Sequence, residues 1–387
     1  MTSSRHALVS PAPAPMPGTP FEFPRIQKRL PLRVHPQHAQ IEEECHRWAR
    51  PHLVDHFGDE QLAERHVAQR MAYWACVCYP HMLDDRCFVL PNIMIPAGIC
   101  DDSFSRPGTD RDPERTEELR RLWLGVLDDE PVAPDFPAGR MLYDALAPAW
   151  PQMPQALADR YRDAFRDVVA SSVVEADDRV HDGILPFDAY LELRLTDLFG
   201  HWATCQTEYA LGCDLTAELA TDATLAKARD LAVNHMTLVN DLFSVPFPVP
   251  AESRLPSSPE ECEAGEAMNS LGLLMRTESL SLQQAADRLA ELIAWTEDAF
   301  CRACADIVHR DGPAHPDVPR YLNELGHLIS GNRHYRTLVA RSRGDAVGEG
   351  RGKASGTVTL GRLGTVHTPR THGDAGTVRH LDGTDRD

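Results

Sequence analysis

No uninterrupted apolar run in the chain reaches the roughly 20 residues that a membrane-spanning helix needs. The first residues, MTSSRHALVSPAPAPMPGTP, also lack the apolar segment of an export signal. These two absences predict a cytoplasmic protein with no membrane span. Basic residues are in deficit, 39 Lys and Arg against 58 Asp and Glu, for a formal charge of −19. A surface of that sign repels a phosphate backbone, so nucleic acid is excluded as a partner, and an anionic membrane surface with it. Any anionic ligand must then be met by local cations or by metal. The ten cysteines include Cys76 and Cys78 in CVC and Cys301 and Cys304 in CRAC, but neither group has the second pair that a zinc site needs. They read as structural thiols in a reducing compartment.

Clear strand alternation is missing too, and helical spacing takes its place. Leu157, Tyr161, Phe165 and Val168 recur at three- and four-residue steps, as do Ala285, Leu289, Leu292 and Trp295. FDAYLELRLTDLFGHW opens with Asp188 as an N-cap just after Pro186, and LAKARDLAVNHMTLVNDLF continues as one long helix. The Pro- and Gly-containing stretches 129–139 and 246–259 mark breaks. Residues 1–24, with six prolines, read as a tail. From 344 to 387 there is no Phe, Trp or Tyr and much Gly and Thr, so that segment reads as a disordered tail. Between them, residues 25–343 are predicted to form one all-α domain, a single helical bundle with a central cavity. No repeat of 20 to 50 residues is visible, which argues against a solenoid.

Two acidic pairs stand in MLDDRCFVLPNIMIPAGICDDSFS, Asp84-Asp85 and Asp101-Asp102. Adjacent carboxylates suit a hard cation that takes oxygen ligands. Further on, Asn240 and Ser244 in VNDLFS are four apart and share a helix face, offering an amide and a hydroxyl oxygen to the same kind of ion. Such a pair is common by chance. Upstream lies Arg194, 240 − 194 = 46 residues before Asn240. Taken alone it would read as the partner of Glu192 or Asp197 in a surface salt bridge.

With this spacing the chain resembles the bacterial class I terpene synthases. In that family an Asn, a Ser and a Glu at steps of four hold one magnesium, and an Arg about this far upstream senses a diphosphate. Asn240, Ser244 and Arg194 match three of those positions. Tyr79-Pro80 precedes Asp101 by a distance like that before the family's aspartate-rich motif. RLPLRVHPQHAQIEEECHRWAR resembles its N-terminal strap, MNSLGLLMRTESLSLQQAADRL the segment after its second metal helix, and ISGNRHYRTLVAR its last helix. The resemblance covers about residues 25–343.

It implies Mg²⁺-dependent ionisation of an isoprenyl diphosphate and cyclisation of the allylic cation, with farnesyl diphosphate the first choice and geranylgeranyl diphosphate the second. Up to three Mg²⁺ ions, or Mn²⁺ in their place, would be held by Asp101, Asn240 and Ser244. Arg194 and Arg341 would grip phosphate oxygens, and Phe104, Phe199, Trp202 and Tyr335 would face the cation. Each of these aromatics also fits ordinary core packing. A homodimer is compatible with this reading.

The departures are as specific as the matches. Pro248 stands where the family has its Glu, Ser105 and Arg106 where it has a third acid, and Ser342 follows Arg341 where it has Tyr. Glu252, or the run Glu260, Glu261, Glu263 and Glu266, could replace the missing ligand or form a solvated loop. The alternative reading is a catalytically impaired relative that binds a prenyl ligand or a protein partner; a prenyl-chain elongating enzyme would need a second aspartate-rich motif in place of NDLFS. Where many relatives carry bulky aromatics before the first Asp, this chain has Pro96, Ala97, Gly98 and Ile99, which implies a roomier pocket. Asp84-Asp85 is expected to be a solvated helix start, and Pro91 and Pro96 are expected to interrupt the helix that presents Asp101.

Overall fold

A computed structural model of the chain describes residues 22–104, 113–178, 186–243, 269–310 and 315–338. Among them there is no strand, and fourteen α-helices follow in order: α1 (His38–Phe57), α2 (Glu60–Val67), α3 (Met71–Cys78), α4 (Val89–Phe104), α5 (Pro113–Leu127), α6 (Pro137–Leu146) and α7 (Gln155–Asp178). Then come α8 (Phe187–Asp197), α9 (Gly200–Leu211), α10 (Thr216–Thr221), α11 (Ala223–Phe243), α12 (Ser270–Thr277), α13 (Leu282–Val308) and α14 (Val318–Leu338). No described helix is long and apolar enough to cross a membrane.

Local chemistry places the ends. Asp59 accepts the Gln61 and Leu62 N–H groups to start α2, and Ser281 with Gln284 forms a reciprocal cap on α13. Gly58 and Gly212, at φ +64° and +70°, close α1 and α9 in the left-handed conformation that glycine adopts without cost. Asp188 lies inside the first turn of α8, whose N-cap is Pro186, so the expected cap is displaced by two residues.

Burial decides which helices are central. From Trp202 to Leu211 every residue of α9 is buried, and so is α3 from Ala72 onward. Helices apolar on all sides belong in the interior, with the amphipathic ones around them. α14 packs on α3 and α11, and α11 also packs on α13. The α14–α3 contact is backbone-close: a Cβ on Gly331 would lie 2.2 Å from the Val77 carbonyl oxygen. Leu157, Tyr161, Phe165 and Val168 are all buried on α7 as their spacing predicts. Trp295 is not on the buried face of α13; it is 61% exposed, and Ile293 and Phe300 carry the stripe onward from Leu289.

α4 corrects a second expectation. It runs unbroken through both prolines. Pro91 is its third residue, where the missing N–H has no helical acceptor to lose, and Pro96 forgoes one backbone bond inside a segment buried at Ile93, Met94, Ile95 and Ala97. The nine described cysteines are free, and burial raises the thiol pKa of Cys45 and Cys76.

The N-terminal segment crosses the bundle as an extended strap. Glu297 on α13, fully buried, accepts the backbone N–H groups of Arg29 and Leu30 at 3.0 and 2.9 Å and pairs with Arg333 of α14 at 2.9 Å. Arg333 also donates to the Gln27 carbonyl, and Ser330 donates to that of Pro31. Phe23 is buried against Phe243 at 4.6 Å between ring centroids, so packing begins before residue 25, where the domain was expected to start.

Candidate active site

Five helices surround one cavity, and each contributes by a regular register. Met94, Ala97, Gly98 and Asp101 recur at helical steps on α4. Met236 and Asn240 are four apart on α11, and Asn332, Tyr335 and Arg336 share one side of α14. Gln69, Met71 and Trp74 close the wall from the start of α3. The remaining side comes from Leu198, Phe199, Trp202 and Ala203, at the break between α8 and α9.

That break has a physical cause. Phe199 adopts φ +59°, and a Cβ on Gly200 would meet Val233 at 2.2 Å and the Leu195 carbonyl at 2.5 Å. The chain therefore turns where glycine alone fits, which brings Leu198 and Phe199 to the cavity. Behind them stands a set of edge-to-face rings: Phe199–Trp202 at 5.3 Å, Phe165–Trp202 at 5.5 Å and Tyr161–Trp202 at 5.5 Å between centroids.

Polar groups fix the wall. Trp74 donates its indole N–H to the Asn332 amide oxygen at 3.1 Å, and the Tyr335 hydroxyl donates to the Gln69 carbonyl. Beside Asn240, Asp241 is buried and accepts from the Tyr190 hydroxyl at 2.7 Å and from the Ser270 N–H at 3.0 Å. Arg194 lies 3.0 Å from Asp197 and 3.7 Å from Asp241, so it ties the end of α8 to the turn of α11 that carries Asn240. The Tyr190 phenol, buried next to Asp241, is held well above its usual pKa by desolvation and by that carboxylate.

The sequence candidates separate accordingly. Asp101, Asn240, Phe199, Trp202 and Tyr335 line this one cavity. Arg194 does not line it; it sits behind the rim in the ion pairs just described, Asp197 among its partners. Phe104 is buried in the core and is likewise not on the lining. Asp84 and Asp85 are exposed on a short 3₁₀ turn ahead of α4. Ser244, Arg341, Ser105, Arg106, Pro248, Glu252 and the run from Glu260 to Glu266 lie outside the described residues.

Residues 93–299 match the family described as terpene synthase family 2, C-terminal metal binding. The chain belongs to this terpene synthase family. It is 24% identical over 332 residues to Microbial Terpene synthase-like protein 13 of Selaginella moellendorffii, spanning 84% of this chain and 87% of that one. To the (3S,6E)-nerolidol synthase of the same organism it is 22% identical over 334 residues, 84% of each. Its fold is similar to that of hedycaryol synthase in complex with nerolidol, with a TM-score of 0.65 at 18% identity over 81% of this chain and all of that one. The class I terpenoid helical fold is thus shared, and the family is one of lyases that act on prenyl diphosphates and use a divalent metal.

Sequence reasoning missed Arg336, a cation that lies on the cavity wall itself. It falls inside the ISGNRHYRTLVAR segment, four residues past Asn332, with which it shares a side of α14. Asn332 was missed as well: its role depends on Trp74, 258 residues away.

Proposed function

We propose that the protein is a Mg²⁺-dependent terpene cyclase that ionises an isoprenyl diphosphate, with farnesyl diphosphate the first choice and geranylgeranyl diphosphate the second. The observation that carries this reading is the pairing of two oxygen donors, Asp101 and Asn240, with the Arg336 cation and a largely apolar and aromatic wall around one cavity. A carboxylate and an amide oxygen are donors suited to Mg²⁺, which fits them better than a soft or nitrogen-seeking ion. When bound, the metal would supply charge to neutralise the departing diphosphate.

The chain's own residues supply the rest. Asp101, from α4, and Asn240, from α11, would hold the metal, with Ser244 as the further donor that the resemblance assigns. Arg336 would add a fork of N–H donors for phosphate oxygens at the cavity wall. Arg194 would respond to the diphosphate from behind the rim, since its ion pairs link α8 to the Asn240 turn. Met71, Met94, Phe199, Trp202 and Met236 would exclude water, and the ring faces of Phe199 and Trp202 would stabilise a passing carbocation. Ala97 and Gly98 leave the α4 side of the wall low, which keeps a twenty-carbon chain in play. The likeness to a nerolidol synthase supports the fifteen-carbon one.

The test is to incubate the purified protein with Mg²⁺ and, separately, geranyl, farnesyl and geranylgeranyl diphosphate, with gas chromatography and mass detection of the extract. A hydrocarbon or alcohol from farnesyl diphosphate, absent when the divalent ion is chelated, is the expected result. No product from any substrate with Mg²⁺ or Mn²⁺ overturns the proposal.

A further inference from the structure

Away from the cavity, three metal-competent side chains meet where the turn after α3 touches α14. Glu324 and His327 are three residues apart on α14 and so share a face; His81 reaches them from the turn. A carboxylate oxygen of Glu324 and one ring nitrogen from each histidine all lie within 4.8 Å of one another.

The details are unlike a surface ion pair. The Glu324 side chain is fully buried; one oxygen accepts the His81 backbone N–H at 3.0 Å and the other the His81 Nδ1–H at 2.6 Å. His327 is only 5% exposed, and its buried Nδ1 has no hydrogen-bond partner. The two histidine rings pack at 5.0 Å between centroids, tilted by 53°.

A closed hydrogen-bond cluster is the plainer account, and it explains His81 and Glu324 well. It leaves the His327 nitrogen buried with nothing to bond, which costs free energy with no return.

We propose that His81, Glu324 and His327 form a site for a borderline divalent transition-metal ion, represented by Zn²⁺, that staples the turn after α3 to α14. Two imidazoles and a carboxylate suit this class and not the hard ions of the cavity. Tetrahedral bonds of the usual length set the donor atoms about 3.4 Å apart, so the wider pairs, at up to 4.8 Å, must draw in, and Glu324 and His81 Nδ1, now at 2.6 Å, must part if Nδ1 is the donor. His81 is one-third exposed, which gives the ion an entry. Asn332, Tyr335 and Arg336 lie five to nine residues further along α14, about 8 to 14 Å away at the rise of a helix, so this site is separate from the cavity.

Arg33, on the strap, donates to His81 Nε2 at 2.9 Å and is exposed. If the metal takes Nε2, that hydrogen bond is displaced. If it takes Nδ1, the ring proton moves to Nε2 and faces a donor. By either route Arg33 opposes binding.

The experiment uses the full chain, stripped with chelator and titrated with Zn²⁺ against a chromophoric competitor in excess Mg²⁺. One Zn²⁺ per chain is expected, with affinity about tenfold or more weaker in His327→Gln, several-fold tighter in Arg33→Ala and unchanged in Asp101→Asn. Should His327→Gln fail to fold, Arg33→Ala decides alone, being a surface change. Affinity that is equal or weaker in Arg33→Ala, or uptake that disappears with Asp101→Asn and persists in His327→Gln, overturns the assignment.

Discussion

The cavity rim and the Glu297 network are both polar places in a helical interior, and they are organised in opposite ways. Around Glu297 the carboxylate takes two strap N–H groups and one guanidinium; His235 of α11 lies 3.8 Å away, both of its ring nitrogens without a hydrogen-bond partner. At the rim, Asp101, Asn240 and Arg336 line a cavity together with apolar and aromatic side chains. Charges that close on each other in the interior hold a fold together, whereas polar groups on a cavity wall are placed where a ligand can meet them. The first kind should report on stability and the second on turnover.

Asp101→Ala is the largest expected break in this contrast. Losing a charge-stabilising contact of this type costs about two to three orders of magnitude in rate, and thermal unfolding should stay near wild type because the side chain is exposed. Glu297→Gln is the reverse case. It leaves the Arg333 guanidinium buried without its counter-charge, for about 3–5 kcal/mol of stability, read by denaturant unfolding; loss of activity without a stability change would undo the assignment.

A pH titration sharpens the same network. Burial and the neighbouring Arg333 pull the His235 pKa down to about 3. A histidine depressed in the folded state stabilises fully above its unfolded value, about 6.5, and loses that contribution as pH falls from there toward 3. His235→Asn should therefore flatten the acid limb of the stability curve across that window. The smallest effect belongs to Asp84→Asn with Asp85→Asn: both side chains are exposed and off the cavity, so stability should move by no more than about 0.5 kcal/mol, with turnover unchanged.

What could be read from the sequence followed the range of the interactions involved. The α7 stripe and the long α11 rest on spacing within one helix, whereas the preference for Asp101 over Asp84 came from the family resemblance. α13 was legible as a helix, but its buried face drifts away from Trp295 because the strap and α11 claim the side that carries Glu297. Pro96 misled because a local helix penalty was overridden by burial around it. The polar clusters were out of reach for another reason: His81 and Glu324 are 243 residues apart, Trp74 and Asn332 258, and no local pattern links them.

The account rests most on the claim that Asp101, and not the similar pair at Asp84, serves the metal-dependent step. The direct measurement is diphosphate release from farnesyl diphosphate with Mg²⁺, run side by side on wild type, Asp101→Asn and the Asp84→Asn, Asp85→Asn double variant. Release by wild type and the double variant, lost in Asp101→Asn and on chelation, is the predicted result. Equal release by Asp101→Asn and wild type would contradict it.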